Sequence, residues 1–218
     1  FKENTWLLNR YFPFNVFKNS SNAHSVLYLH WHDHIEIIYM IEGQAVFDIG
    51  NQSVEAGPGD ILFVNSGQLH SGYSVDDTSV KYCAVVFNQS LLGSNIPDPY
   101  HDKYISPFLE GKFQFPVKIE NQHEGNALFK SHIERIIDEF NCKMPGYEIK
   151  IKAILYSMTV DIFRVYLPST IGDNYDIAHE HNIENIKKLI WDVQQAFPAK
   201  ITIREAARFV NLSPYYFC

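Results

Sequence analysis

Cysteine is scarce in this 218-residue sequence, which contains three, at Cys83, Cys142 and Cys218. An odd number of widely separated cysteines excludes a disulfide framework and a cysteine-based zinc site, and it is typical of a reducing cytosol. No apolar run approaches the ~20 residues of a membrane helix, because Glu42 and Asp48 interrupt the longest one. Residues 1–4 lack the basic head and apolar core of a signal peptide. We therefore expect a cytoplasmic protein with no membrane partner.

Several function classes are excluded by what the sequence does not contain. Glycine (11) and proline (10) are too few for a collagen-like protein or a linker. There is no nucleophile elbow and no glycine-rich phosphate-binding loop. With 46% hydrophobic and 20% charged residues, the composition is that of a folded globular protein.

Charge is unevenly distributed along the chain. The total is 18 basic against 25 acidic residues, a net charge of −7. Residues 182–218 hold 5 basic and 3 acidic residues, which leaves 13 basic and 22 acidic residues in 1–181. An acidic body does not bind nucleic acid through its general surface, because phosphate binding needs clustered lysine and arginine. Only the C-terminal segment has a composition compatible with DNA.

Short segments rich in β-branched and aromatic residues occupy residues 26–88, with turn residues between them. Strands this short and evenly spaced predict a sandwich or a small barrel. Residues 89–121, which contain four prolines, are expected to be irregular. The five predicted strands are Val26–Trp31, His34–Glu42, Gln44–Ile49, Asp60–Val64 and Val80–Phe87.

Residues 122–167 change to a helical period. Apolar residues recur at steps of three and four, first around Ile133–Phe140 and then over Ile151–Val165, and Leu167-Pro168 is expected to end the second helix. Two such helices joined by a short turn predict an antiparallel hairpin. The hairpin either packs on the barrel of its own chain or forms the interface of a homodimer.

The last part of the chain is divided by a polar linker at residues 168–181. Residues 183–197 are predicted to form a helix that Pro198 ends. Thr202 and Glu205 form a capping box for a helix over Ile203–Phe209, and Ser213-Pro214 is the expected start of another helix.

Four side chains with metal-ligating chemistry recur in the strand region. His30 and His32 are two residues apart, so on a strand they point to the same face, and Glu36 can join them from the next strand. A second block, Gly59 to His70, supplies another imidazole. Three imidazoles and a carboxylate form a plausible set for a divalent metal. The alternatives are a polar lining for an organic effector and a hydrogen-bonded structural cluster.

These two blocks resemble the paired motifs of the cupin superfamily, whose usual metal ligands map onto His30, His32, Glu36 and His70. The second block departs from the pattern at Asn65, where cupins commonly have proline, and at Ser74, where asparagine often follows the final histidine.

The wider context is similar to transcription regulators of the AraC/XylS family. The stretches 30–39, 59–65 and 70–71 look like the family's sensory domain, and 201–207 with 211–217 look like the opening of its first helix-turn-helix. The resemblance implies a fold that is mainly β with α. Its parts are a cupin-like jelly-roll barrel with an N-terminal arm (1–121), a dimerising helix hairpin (122–167), the linker (168–181) and a partial all-α helix-turn-helix domain (182–218).

The resemblance, together with strand alternation that puts Ile38 and Met40 on the face of Glu36, predicts two sets of binding residues. A small effector, often a sugar in this family, is expected to bind in the barrel. Operator DNA is the expected partner of the full-length protein. Phe47 and Tyr82 either line the effector pocket or, as we expect, pack in the core. The N-terminal arm that contains Arg10 either closes over the effector or forms a loose terminus. The expected effector-binding residues are His30, His32, Glu36, Ile38, Met40, Phe47, His70, Tyr82 and Arg10, and the expected DNA-binding residues are Lys200, Arg204, Ser213, Tyr215 and Tyr216.

Three functions are compatible with the sequence. The first is an effector-responsive transcription regulator that is not an enzyme. The second is a metal-dependent cupin enzyme of the dioxygenase or isomerase type, which explains the histidines but not residues 201–217. The third is a plain dimerisation module with a degenerate barrel. The beginning of a helix-turn-helix favours the regulator, with no certain cofactor beyond a candidate divalent metal.

Overall fold

The computed structural model describes residues 2–3, 5, 7, 10–94, 96–123 and 125–170. The residues expected to bind DNA, and the linker beyond residue 170, lie outside this part of the chain. Residues 5–171 form one compact unit. The described residues contain nine strands and four α-helices. The strands are β1 (Phe14–Ser21), β2 (Ser25–His30), β3 (Ile35–Glu42), β4 (Ala45–Ile49), β5 (Gln52–Ala56), β6 (Ile61–Val64), β7 (His70–Ser74), β8 (Val80–Phe87) and β9 (Lys118–Ile119).

The strands form two antiparallel sheets. One has the order β1-β8-β3-β6-β9 and the other the order β2-β7-β4-β5. Two sheets stacked in this way make a double-sheet jelly roll. The fold class, mainly β with α, is therefore confirmed.

Alternation along the strands divides the core into two layers. On β3, Ile38 and Met40 point between the two sheets, where they pack with Phe47 and Tyr82. Ile37, the residue before Ile38, points to the opposite face and joins the core shared with the helices. The sheet of β3 is consequently buried on both faces. Its strands read as nearly continuous apolar runs, which made β3, β6 and β8 recognisable in the sequence.

Four strands were missed by the sequence analysis, β1, β5, β7 and β9. β1, β5 and β9 lie at sheet edges, and β1 and β5 carry exposed polar residues there. β7 contains Gly72, where a Cβ would lie 2.8 Å from the Phe47 ring. The glycine lowers the strand propensity of β7, yet it is required by this close approach.

Residues 89–121 were expected to be irregular, and this prediction is wrong in part. They contain α1 (Pro99–Tyr104), α2 (Ser106–Leu109) and β9. Asp98 accepts hydrogen bonds from the backbone N–H groups of Tyr100 and His101, and Pro99 occupies the first helical position. An N-cap followed by proline is a helix start that the sequence did contain.

The predicted helix hairpin is present. It consists of α3 (Asn126–Cys142) and α4 (Tyr147–Thr170), joined by a turn in which Lys143 and Gly146 have positive φ. The expected end at Leu167-Pro168 is wrong, because α4 continues to Thr170. A proline close to the end of a helix removes few hydrogen bonds and need not stop it at once. Apolar residues of both helices share a core with β1, β3, β6 and β8. No helix in the described residues is long and apolar enough to cross a membrane.

Candidate ligand and metal site in the barrel

The four metal-ligating side chains predicted from the sequence come together at the ends of three strands. His30 is the last residue of β2, His70 is the first of β7, and the two are paired across the sheet. Glu36 enters from the other sheet as the second residue of β3. His32 lies in the connection between β2 and β3. The sequence analysis had treated it as a strand residue. We call these four residues the His/Glu cluster.

The His/Glu cluster is compact and buried. Each residue offers one ligand atom, and these atoms all lie within 4.8 Å of one another. The ring centroids of His30 and His70 are 4.0 Å apart, and those of His32 and His70 are 5.0 Å apart. Each of the four residues is less than a tenth exposed. Buried polar groups at this density need hydrogen bonds or a shared ion.

Backbone carbonyls hold the imidazole rings in one orientation. The Nδ1 atoms of His30, His32 and His70 lie 2.7, 3.2 and 2.9 Å from the carbonyl oxygens of Tyr28, His34 and Gln68. A carbonyl only accepts, so each Nδ1 carries the hydrogen. In a neutral ring this leaves Nε2 with a free lone pair, which is the form that binds a metal.

Glu36 lies against two of these Nε2 atoms. Its Oε2 is 2.9 Å from Nε2 of His32 and 3.3 Å from Nε2 of His70. Burial raises the pKa of the Glu36 carboxyl, but the hydrogen bond with His32 and the charges of His32 and His70 outweigh it, so the pKa is held well below its ordinary value. Glu36 is therefore a carboxylate at neutral pH.

A carboxylate facing two imidazole lone pairs is stable only with a positive charge between them. That charge is either a proton on an imidazole Nε2 or a metal ion. Nε2 of His70 is buried and makes no hydrogen bond of acceptable geometry to the described residues. A buried nitrogen of this kind beside a carboxylate could be completed by a cation, and nitrogen and oxygen donors of this kind suit zinc, iron, nickel or manganese.

The apolar residues expected to line the effector pocket lie in the same interior. Ile38, Met40, Phe47 and Tyr82 are all at most 2% exposed. The Tyr82 hydroxyl donates to the carbonyl oxygen of Val26 at 3.2 Å. These residues are packed against one another in the core between the sheets.

Arg10 is not brought to the His/Glu cluster. It is exposed, and its guanidinium lies 5.0 Å from the centre of the Tyr11 ring. His34 is close to the cluster without joining it. Its ring stacks on His32 at 5.6 Å, and its Nδ1 lies 3.1 Å from Nδ2 of Asn88.

The sequence analysis missed the groups that orient the cluster. Three of them are backbone carbonyls, at Tyr28, His34 and Gln68, each two residues from the histidine that it holds. Side-chain identity carries no information about such contacts. Asn65, which bonds to the Gln68 side chain, was noted only as a departure from the cupin pattern.

Comparison with known proteins agrees with this architecture. Residues 16–138 match the family described as AraC-like ligand binding domain. This match covers more than half of the chain, from within β1 to within α3, and includes the whole His/Glu cluster. The chain belongs to this family.

A curated relative extends the likeness beyond the barrel. The chain is 24% identical over 196 residues to the uncharacterized HTH-type transcriptional regulator YdeC of Bacillus subtilis (strain 168). The alignment covers 89% of this chain and 64% of that protein. The chain thus spans somewhat less than two thirds of the length of the relative.

Solved structures of related fold match this chain with TM-scores below 0.5. ToxT from Vibrio cholerae, in a structure with a bound unsaturated fatty acid, has a TM-score of 0.47 and 13% identity, with coverage of 94% of this chain and 88% of ToxT. A predicted oxalate decarboxylase from Thermotoga maritima has a TM-score of 0.32 and 29% identity, with coverage of 34% of this chain and 64% of that one. At these TM-scores, neither likeness carries a functional argument.

Proposed function

We propose that this chain is the sensory part of a DNA-binding transcription regulator and that its effector binds at the His/Glu cluster. The observation that carries the proposal is a buried group of four ligating side chains inside the barrel of an AraC-like ligand-binding domain. Such a cluster has no role in stabilising the fold that apolar residues would not serve equally well. Its presence in the interior therefore favours binding.

The effector class follows from the groups that face it. The cluster offers imidazole nitrogens and one carboxylate, so it suits a ligand that carries several hydrogen-bond donors. A sugar is one such ligand, and it remains the organic effector that we expect. Binding biases transcription only if the effector has different affinities for two conformations of the protein.

A divalent metal ion is a second candidate for the same site, and the ring orientation favours it. Carbonyl oxygens fix the Nδ1–H groups, and the remaining Nε2 atoms of His32 and His70 face the Glu36 carboxylate. His30, His32, Glu36 and His70 would hold the ion. Once bound, it would supply a positive charge and a Lewis-acid centre that an effector could coordinate.

Metal analysis of the purified protein distinguishes the two candidates. For a metal site we expect about one transition metal ion per chain, retained through dialysis and lost in His32→Ala. His24→Ala is the matched control, because His24 is exposed and stacks on Tyr73 outside the cluster. Absence of metal from wild type, with no uptake of added Zn²⁺ or Co²⁺, would leave the site to an organic effector.

The helix hairpin at 122–167 is our proposed homodimer interface. Leu128 on α3 and Ile149 and Val165 on α4 are large apolar residues that are more than a third exposed. We expect Ile149→Glu to shift the protein toward monomer in analytical ultracentrifugation. Ile41→Glu is the control, because Ile41 is also about half exposed but lies on β3. A dimer that survives Ile149→Glu and dissociates with Ile41→Glu would contradict this assignment.

DNA contacts are proposed for Lys200, Arg204, Ser213, Tyr215 and Tyr216, which lie outside the described residues. Lys200 and Arg204 would reach phosphates, which position a protein without specifying a sequence. Lys200→Ala should weaken binding to any duplex and reduce the slope of log K against log salt by about 1. An unchanged slope would mean that Lys200 does not contact the DNA.

The regulator proposal and the cupin-enzyme alternative make different predictions in the cell. We expect a Glu36→Gln allele at the native locus to alter a small set of transcripts, and deletion of the gene to alter the same set. RNA sequencing of both strains measures this. If no transcript responds while the purified protein turns over a small molecule, the enzyme alternative replaces the regulator.

A further inference from the structure

The turn between β6 and β7, residues 65–69, is bonded to two members of the His/Glu cluster. The backbone N–H of Gly67 donates to the carbonyl oxygen of His32 at 2.9 Å. His70 donates from Nδ1 to the carbonyl oxygen of Gln68 at 2.9 Å. A shift of this turn therefore moves both histidines. The cluster and the turn form one hydrogen-bonded unit.

Asn65 closes the turn on itself. Its backbone N–H donates to Oε1 of Gln68 at 2.8 Å, and its side-chain Nδ2 donates to the same oxygen at 3.3 Å. The backbone N–H of Gln68 donates back to the carbonyl oxygen of Asn65 at 3.0 Å. Proline, which cupins commonly have at this position, could make neither of the two bonds that Asn65 donates.

Asn65 also bonds to a second segment of the chain. Its Oδ1 accepts from the backbone N–H of Phe115 at 3.1 Å. The Phe115 ring is 4% exposed and stacks between Phe63 of β6, at 5.4 Å, and Phe108 of α2, at 4.9 Å. The side-chain amide of Asn65 thus connects the 65–69 turn to an aromatic layer formed by Phe63, Phe115 and Phe108.

The aromatic layer continues to α4. The Phe108 ring lies 6.1 Å from Phe113, and Phe113 lies 6.4 Å from Phe163 of α4. Tyr104 of α1 packs edge-on against Phe163 at 5.0 Å. Close-packed interiors transmit displacements because they contain little free volume. A continuous set of contacts therefore runs from His70 to the helix that leads to the C-terminal segment.

We propose that Asn65 is a positioning residue that orients His70 through Gln68 and couples the state of the His/Glu cluster to α4. This inference rests on the proposed function, because coupling matters only if the cluster is the sensing site. It explains why an amide occupies a position where the resembled pattern has proline. The coupling is a property of the chain itself, so it can be measured before the effector is known.

The test perturbs the cluster with Glu36→Gln, which removes the carboxylate charge and keeps its shape. Amide hydrogen exchange is then measured in α4 of the 218-residue protein. We expect Glu36→Gln to change exchange around Phe163 by about threefold or more. In an Asn65→Ala background the same change should have much less effect on α4.

Two further variants separate coupling from general destabilisation. Asn65→Asp keeps an oxygen for the Phe115 N–H and should restore most of the response. Asn126→Ala removes a buried amide that donates to the carbonyl oxygens of Gly59 and Ile119, away from the turn. It should lower stability and leave the α4 response intact.

A spectroscopic readout reports on His70 directly. In ¹⁵N-resolved NMR spectra of the imidazoles, wild type should show the Nδ1–H form of His70, and Asn65→Ala should mix the two tautomers. An α4 response to Glu36→Gln that persists in full in Asn65→Ala would overturn the proposal, as would an α4 that never responds. The proposed function is tested separately, by the metal content of the protein and by RNA sequencing, and failure of the coupling proposal would not change those results.

Discussion

The space between the two sheets contains an apolar region and a polar region built from the same strands. On β3, Ile38 and Met40 belong to the apolar region, while Glu36, two residues earlier on the same face, belongs to the His/Glu cluster. On the facing sheet, Ile49 packs in the apolar region and is paired with His70. Strand alternation places all of these side chains inside, and their chemistry alone separates the two regions.

The two regions differ in how completely their atoms are satisfied. Phe47 and Met40 have no exposed surface and contact other apolar side chains. In the polar region, Nε2 of His70 is buried without a hydrogen bond of acceptable geometry to the described residues. A filled apolar core stabilises a fold, whereas an unsatisfied polar group is retained where a ligand or ion completes it. This difference supports our proposal that the second region binds the effector, while the first stabilises the fold.

The largest expected effect is in the apolar region. Phe47→Ala should lower the free energy of unfolding by about 3–5 kcal/mol, because it removes a fully buried ring and leaves a cavity. Urea unfolding followed by circular dichroism measures the loss. Tyr28→Ala is the control, since that ring is 82% exposed, and it should change stability by less than about 0.5 kcal/mol. Equal effects of the two variants would contradict the assigned role of Phe47.

Gly72 joins the two regions, because it lies two residues after His70 and its Cα faces the Phe47 ring. Gly72→Ala would place a Cβ 2.8 Å from that ring, which should cost about 1–3 kcal/mol through overpacking. Gly57→Ala is a matched control, because its Cβ would meet its nearest neighbour at 3.8 Å. If Gly72→Ala leaves the free energy of unfolding unchanged in the same urea titration, the Phe47 ring can move aside more easily than the packing indicates.

The smallest expected effect on stability is in the polar region, and it depends on pH. The folded pKa of Glu36 lies below the ordinary value of 4.5, so the unfolded chain takes up a proton first as pH falls. Glu36 therefore contributes stability that is fully present above about pH 4.5 and decreases below it. We expect Glu36→Gln to be less stable than wild type at pH 7 and the difference to narrow between about pH 5 and pH 3. A difference independent of pH would contradict the charged, hydrogen-bonded carboxylate.

The sequence predicted the regular parts of this architecture for a physical reason. Central strands such as β3 and β8 are buried on both faces and must be apolar, and the 3.6-residue period of α3 and α4 follows from their one buried face. Edge strands such as β1 and β5 bury fewer side chains, so they leave a weaker pattern and were missed. The helices of residues 99–109 were hidden by prolines that in fact stand at helix starts.

The site was predicted to a similar extent and for a comparable reason. The four residues of the His/Glu cluster are chemically distinctive. Strand alternation brings His30, Glu36 and His70 inward. The carbonyls of Tyr28, His34 and Gln68 could not be predicted, because the backbone is the same at every residue. Asn65 was visible as a departure from a pattern, but its bonds to Gln68 and Phe115 depend on a loop that only the fold places beside it.

The central claim is that the polar region binds the effector. Under this claim Ile38, Met40, Phe47 and Tyr82, which the sequence also predicted as effector-binding residues, act in folding. The most direct measurement is thermal stabilisation by a panel of sugars, aromatic acids and divalent transition metals, applied to wild type, Glu36→Gln and Met40→Leu. A ligand at ~100 times its dissociation constant should add ~2.7 kcal/mol to the free energy of unfolding. We expect stabilisation to be lost in Glu36→Gln and retained in Met40→Leu. Retention in Glu36→Gln with loss in Met40→Leu would contradict the account.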